Sequence, residues 1–469
     1  MKSLVLGLSA ALTLQPSPAD FDAYVRAAME ATGLPGLSVV VTHDGEVVHA
    51  AGYGHDSGGR PVTADTPMRV ASVSKSFTAM AVMTLVERGR IALDEPVAEQ
   101  LPGFTMADPR AARITVRQLL NQTSGLSDRT VDIPATESAT SLADYTARLA
   151  DSRLAADPGT HWEYCNVNYD LAARLVEVAS GRTFEEYLRD KVFGPLGMSS
   201  SSVSADAVAD GYNSVYGAWL PRAELPAFLD GTGSGGVVTT AADMGKWLIT
   251  QTGGGRPLVK RASLETMHRS TVLRPYGMGW GTDEDTGLLT HSGNLFTYTA
   301  AQAISPETGY GFAVMTNSAA LYDDAYAIML GLTALAEGRT PEPVGGDRQL
   351  FEAVLGGIAL LSAGLGALGA ARARRWAARR AGRRGWRAAV RLVPVLIPAV
   401  VLATYPDWVS VLTNGRTVTW AQMTYFPAPL SITLLVAALA GVAVAAARVI
   451  ALRRPVSPRA PRGAGSRRS

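Results

Sequence analysis

A single cysteine, Cys165, stands among 469 residues, so no intramolecular disulfide can brace the fold and stability must come from a packed core. The six histidines do not cluster at ligand spacing and no HExxH helix is present, which argues against a zinc site; no metal and no cofactor is implied. His43, His49 and His55 recur every six residues, a coincidence within a hairpin-like stretch. Net charge is also missing: 43 Lys+Arg against 41 Asp+Glu leaves +2. That balance hides an asymmetry. Residues 371–469 hold 17 of the basic residues and one acidic residue, Asp407, so the first 370 residues are distinctly acidic. Such a split joins a soluble acidic unit to a part with a different task. No internal repeat is evident.

What is present in excess is apolar sequence near both ends. Lys2 precedes a mainly apolar stretch over 4–14, the shape of a signal peptide and too short to span a bilayer comfortably. Residues 353–371 are uncharged, 388–405 are mostly apolar around Arg391, Pro394 and Pro398, and 430–447 are strongly hydrophobic. Runs of that length match the hydrocarbon core of a membrane, which a chain crosses with its backbone hydrogen bonds closed on themselves. Nine arginines between 372 and 391, and seven more from 448 onward, orient both segments toward the cytoplasm. Flanking spans make topology a simpler account of these arginines than nucleic-acid binding. The layout expected is a signal peptide at 1–19, a catalytic domain at 20–340 and a linker at 341–349. Transmembrane helices follow at 350–371, 388–405 and 428–447, separated by a basic cytoplasmic loop at 372–387 and an extracytoplasmic loop at 406–427. A basic cytoplasmic tail occupies 448–469. The catalytic part then faces outward from a multi-pass cell-membrane protein.

Within the first unit, 36–42 and 46–52 are β-rich runs around His43-Asp44-Gly45, a hairpin signal. Helical spacing of Phe77, Met80, Ala81, Met83 and Leu85 predicts a helix over 73–88, closed by Gly89. Residues 91–269 alternate helical patterns, 170–180 and 184–192 among them, with loops. Strand signals return at 287–291, 299–305 and 310–316, followed by a helical pattern over 323–337. Strands at both ends and helices between them imply one sheet assembled from distant segments.

Three short patterns carry chemistry: Ser72-Val73-Ser74-Lys75, Tyr164-Cys165-Asn166 and His291-Ser292-Gly293, separated by 92 and 127 residues. Each alone is weak. At a helix start, however, positions i and i+3 share a face, so the amine of Lys75 can approach the hydroxyl of Ser72. The unpaired N–H groups and positive end of that helix favour developing negative charge. An amine withdrawn from water gives up its proton more readily and can serve as a base.

With these motifs the chain resembles the serine β-lactamase and penicillin-binding D,D-peptidase superfamily, in its class C β-lactamase-related branch. Leu119-Leu-Asn-Gln-Thr-Ser-Gly-Leu126, Phe193-Gly-Pro-Leu-Gly-Met198 and Gly235-Gly-Val-Val-Thr-Thr-Ala-Ala-Asp243 extend the similarity over about 21–337. The resemblance implies an α/β (α+β) fold, an antiparallel sheet flanked by helices with an inserted, mainly helical subdomain, here followed by three transmembrane helices. It implies that Ser72 forms an acyl-enzyme while Lys75 and Tyr164 take and return its proton. Asn166 holds Lys75 and contacts substrate, the backbone N–H groups of Ser72 and Asn294 form an oxyanion hole, and His291, Ser292 and Gly293 line the substrate edge, with His291 beside Tyr164 and a substrate carboxylate. Two departures stand out: His291 replaces the Lys usual in true class C β-lactamases, and Cys165 sits where Ser is common, with its side chain expected to point into apolar packing. The expected function is a membrane-anchored D,D-carboxypeptidase or peptidase acting on cell-wall peptides. The alternatives are a β-lactamase or small-ester esterase and, in another class, a sensor or assembly protein without turnover. Expected partners are a D-amino-acid-containing peptide, β-lactam or ester substrate and membrane lipid, with no nucleic acid; oligomeric state is open.

Overall fold

The computed structural model describes residues 16–206, 208–225, 230–380, 382, 384–413, 417–425 and 427–453. The expected signal peptide up to residue 15 and the tail from 454 lie outside the described residues.

The hairpin predicted around Asp44 forms between β1 (Gly36–His43) and β2 (Glu46–Gly54), because Asp44 (φ 50°) and Gly45 (φ 83°) adopt the left-handed turn that matches strand twist. Its sheet partners come from the far end of the unit: β3 (Gly281–Thr282), β4 (Leu289–Asn294), β5 (Thr299–Ile304) and β6 (Tyr310–Thr316). The spatial order is β2-β1-β6-β5-β4-β3, antiparallel throughout, with Val39 opposite Val314 and Val40 opposite Ala313. Residues 37–42 are buried without alternation because both sheet faces are covered. Val39, Val41, Phe312 and Val314 pack with Phe21 and Val25 of α1 (Pro18–Thr32) and with a C-terminal helix, Asp324–Ala336, here α5. Val40, Ala313 and Met315 face the opposite core, built on α2 (Ser74–Val86), α3 (Val167–Ser180) and α4 (Ala241–Gln251). The helical insertion expected over 91–269 is present, and it also carries an antiparallel pair, Gly211–Val215 with Ala218–Arg222, that had no clear alternation to announce it.

Helix α2 is buried almost completely on every side, its polar Ser74, Lys75, Ser76, Thr78 and Thr84 included. Phe77 stacks on Trp247 of α4 with ring centroids 4.0 Å apart and meets Phe193 edge-on at 5.7 Å. Gln302 on β5 donates to Ser76 Oγ (3.0 Å) and accepts from Trp247 Nε1 (3.2 Å), which pins α2 and α4 to the sheet.

After Gly346 the chain forms α6 (Asp347–Ala371), then Val393–Ala403 (α7), Tyr405–Leu412 (α8) and Ala428–Arg453 (α9). By length and composition α6 and α9 can cross a membrane, while α7 and α8 qualify only as a pair bent by 64°. The stretch expected as one span at 388–405 is not one continuous helix: it is interrupted after Gly385–Val390, and the chain bends at residue 404, where Pro406 at the start of α8 has no N–H to continue the bonding of α7. Helix α6 begins at Asp347, within the stretch 341–349 expected as a linker, and Arg348 and Glu352 are buried against the first unit. Large apolar side chains on these helices are exposed, Leu360 at 77% and Leu439 at 61% among them.

Phe77→Ala removes a fully buried ring from the junction of α2 and α4 and should cost about 3–5 kcal/mol. A lowered denaturation midpoint with an unchanged slope is the expected reading; an unchanged midpoint would contradict this packing.

Candidate active site

The turn before α2 sets the position of Ser72. Ala71 has φ 49°, a left-handed conformation that costs a residue with a Cβ energy, and it opens the short 3-10 turn Ala71–Val73. The turn is clamped from outside: Val70 N–H donates to Val237 O (3.1 Å), and Val237 N–H donates to Ser74 Oγ (2.9 Å). Strand β4 presses on it, since a Cβ on Gly293 would lie 2.2 Å from Val70 O and 3.0 Å from Ser72 N. No residue but glycine fits there, and the end of β4 is thereby laid beside the Ser72 amide.

Lys75, one turn into the helix, is fully buried. Its Nζ has three oxygen partners: Ser72 Oγ at 3.0 Å, Asn166 Oδ1 at 2.9 Å and Ser234 O at 2.7 Å. Two of these are carbonyl oxygens, which only accept. An uncharged amine would spend both its protons on them and turn its lone pair to Ser72 Oγ; an ammonium would donate its third proton to that oxygen. Either state couples Lys75 to the hydroxyl. Lys75 Nζ also lies 4.8 Å from the ring centroid of Tyr164 and 5.6 Å from that of Tyr169.

Asn166 caps α3, and one turn later Asp170 on the same face accepts from Ser234 N–H (2.9 Å) and Ser234 Oγ (3.1 Å). This holds the Ser234 carbonyl on Lys75. Gln122 Oε1 accepts from Cys165 N–H (3.1 Å) and Asn168 Nδ2 (2.6 Å), which fixes the chain on either side of Asn166. Cys165 itself is buried in the apolar core.

His291 on β4 is buried, and both ring nitrogens are occupied. Nδ1 lies 2.7 Å from Ser292 O, a pure acceptor, so Nδ1 carries the proton; Nε2 then accepts from Tyr276 Oη at 3.0 Å. Burial, with the charge of Lys75 adding to it, lowers the imidazole pKa to about 3. With Nδ1 on Ser292 O and Nε2 on Tyr276, His291 brings neither a charge nor a spare donor to a substrate carboxylate. Its ring faces Tyr164 with centroids 6.4 Å apart.

Ser72, Tyr164, Asn166, Ser234, His291 and Asn294 line one cleft of ≈ 250 Å³, with Ser292 and Leu295 at its edge. Lys75 and Gly293 sit behind that wall rather than in it. An adjoining cleft shares Tyr164, His291 and Ser292 and extends to Trp162 and Arg274. A hydroxyl, a buried amine, a phenol and an outward amide around one cleft can perform acyl transfer. Ser234, Asp170, Tyr276 and Arg274 went unnoticed in the sequence. Asp170 had a signal, its place four residues after Asn166 on a helix; the others are brought in by loops.

The Beta-lactamase family description matches residues 21–335. Protein flp of Staphylococcus aureus (strain MW2) is 29% identical over 299 residues, 61% of this chain, and the chain spans only 60% of that relative's length. Penicillin-binding protein 4 of Amycolatopsis lactamdurans is 30% identical over 348 residues, covering 66% of this chain and 88% of that protein. Among solved structures, the octameric penicillin-binding protein homologue from Pyrococcus abyssi superposes with a TM-score of 0.59 at 28% identity, over 69% of this chain and 78% of that one.

Burial raises the Asp170 carboxyl to about 6, against the hydrogen bonds from Ser234 and the nearby Lys75. The folded protein thus holds this proton more tightly than the unfolded chain does. Its stabilising contribution is complete below about pH 4 and lost as pH rises through about 6. Stability measured from pH 4 to 7 should fall by on the order of 2–3 kcal/mol more in the wild type than in Asp170→Asn. His291→Gln should leave that difference intact, because the imidazole is already neutral; a pH step near 6 that vanished with His291→Gln would place charge on the ring instead.

Proposed function

This chain belongs to the beta-lactamase family and is a serine hydrolase; on that premise we propose that it hydrolyses a peptide-like substrate through an acyl-enzyme on Ser72, held at a membrane by its C-terminal helices. The observation that carries the reading is the Lys75 amine, buried and 3.0 Å from Ser72 Oγ with its other two partners fixed as acceptors. Ser72 Oγ attacks the substrate carbonyl while its proton passes to Lys75. The proton moves on through Tyr164 to the leaving group as the acyl bond breaks. Water then attacks the ester carbonyl, and its proton returns by the same route to Ser72. The amide of Ser72 and that of Asn294, brought beside it by Gly293, receive the negative charge on the carbonyl oxygen. With Asn166 Oδ1 on Lys75, the amide nitrogen of Asn166 is left to donate to the substrate.

The substrate class we favour is a D-amino-acid-containing peptide of the cell wall, cleaved at its carboxy-terminal residue, in keeping with the penicillin-binding name of one relative. His291 cannot hold the terminal carboxylate, but Arg274 can. It lines the adjoining cleft, stacks 5.1 Å over Trp162 and forms no ion pair with a carboxylate among the described residues. The neutral His291 favours one second reading, an esterase whose substrate carries no carboxylate and needs no such cation. Exposed apolar surface on α6 and α9, with arginines at the ends remote from the catalytic unit, supports the three-span topology with the cleft on the outer side.

Ser72→Ala should lose at least a thousandfold in kcat on every accepted substrate, and intact-mass measurement should find the β-lactam or peptide acyl adduct on the wild type alone. Full activity of that variant would sink the mechanism. Arg274→Gln should raise KM about tenfold for D-Ala-D-Ala peptides and leave a neutral ester unaffected; equal effects on both substrates favour the second reading.

A further inference from the structure

Six arginines converge at the end of the apolar helices remote from the catalytic cleft. Arg372, Arg375, Arg379, Arg380, Arg391 and Arg448 surround a cavity of ≈ 740 Å³. Glycines bring its walls together: a Cβ on Gly366 would lie 2.6 Å from Ala440, and one on Gly369 2.8 Å from Val444, so α6 and α9 touch just above it. Trp376 stands between Arg380 and Arg448, whose guanidinium carbons lie 4.2 Å and 4.9 Å from its ring centroid. Arg448 Nε is buried without a hydrogen-bond partner. The sequence supplies no counter-charge, since Asp407 is the one acidic residue after Glu352 and sits on α8, at the other end of α7.

Topology alone asks only that arginines stay on one side of a membrane, a demand met by side chains splayed into solvent. Here they point into one space, where mutual repulsion is unfavourable unless an anion occupies it. Guanidinium forks match phosphate oxygens in pairs, which makes phosphate the fitting anion. The remaining lining, Leu365 and Leu368, belongs to the exposed apolar side of α6 and suits acyl chains. We propose that this cavity binds the phosphate of an anionic phospholipid, with the chains lying along Leu365 and Leu368. The site rests on the membrane reading of α6 and α9 but not on the hydrolase mechanism, since no residue in it reaches the catalytic cleft.

The test uses the full chain in detergent, with bound lipid counted by native mass spectrometry. The wild type should retain one phosphatidylglycerol at least tenfold more tightly than phosphatidylcholine. Neutralising Arg375, Arg379 and Arg391 together to Gln should abolish that preference, as should Trp376→Ala. Neutralising Arg374, Arg384 and Arg387, which removes the same charge outside the cavity, should preserve it. Sodium pyrophosphate that fails to displace the lipid supports the lipid-borne phosphate; pyrophosphate that binds and displaces it upholds phosphate recognition but moves its source to a soluble anion. Equal retention of both lipids by the wild type, or equal loss in the two triple variants, overturns the proposal. Hydrolysis by each variant serves as the check that the chain has folded.

Discussion

The buried amine of Lys75 is the constraint around which the catalytic unit is arranged. An amine taken wholly out of water is costly unless every hydrogen-bonding direction is met. Three separate segments meet it here: the turn at Ser72, the cap of α3 at Asn166 and the loop carbonyl of Ser234. None of these can shift without stranding the others' partner. Asp170 then fixes Ser234 through two bonds, so the carbonyl that faces Lys75 is held from behind by a second buried polar group. Satisfied polar networks of this kind are rigid because partial satisfaction is worse than none.

That network could not close unless the sheet came unusually near the helix. Gly293 lets β4 reach the Ser72 amide, and Gly279, with φ 77°, lets the preceding loop lie against the first turn of α2, where a Cβ would fall 2.6 Å from Ser76 N. The same pressing of β4 onto the turn explains the fate of His291. Its ring is driven into a space already filled by Tyr276 and Tyr164, loses water, and becomes a neutral acceptor for the Tyr276 hydroxyl. A histidine in place of a lysine at this strand position is thus more than a weaker cation.

Much of this was readable from the chain. The hairpin around Asp44, the strands at 299–304 and 310–316 and the helix at 324–336 follow from local pattern, because turn chemistry and apolar spacing act over a few residues. Ser72, Lys75 and Asn166 were legible because short motifs encode their spacing, and the structure places both Ser72 Oγ and Asn166 Oδ1 within hydrogen-bond distance of Lys75 Nζ. The state of His291 was not legible: it depends on Tyr276, which arrives from a loop fifteen residues away. Asp170 could be placed on the face of Asn166, yet its role needs Ser234, sixty-four residues further on. Hydropathy found α6 and α9 but not the bend at residue 404, since composition does not tell where a helix stops and Pro406 lies just past the apolar run.

The junction between the two parts shows most clearly what pattern reading omits. Arg348 falls in the expected linker and Glu352 in the expected first span, yet both are buried. Arg348 donates to Thr32 O (2.6 Å) and Ser214 Oγ (2.7 Å), while Glu352 accepts from Gly217 N–H (2.6 Å) and Ser214 Oγ (2.8 Å). Helix α9 is tied in by Tyr216, whose hydroxyl lies 3.0 Å from Pro429 O. The segment leading into α9 also touches the first unit: Thr417 donates to Asp128 O (3.0 Å), and Tyr425 meets Phe296, the neighbour of Leu295 in the cleft wall, with ring centroids 5.5 Å apart. A flexible tether would leave the orientation of the cleft free. Buried ionic and aromatic contacts fix it, so the apolar helices are joined to the first unit by packing rather than by a tether.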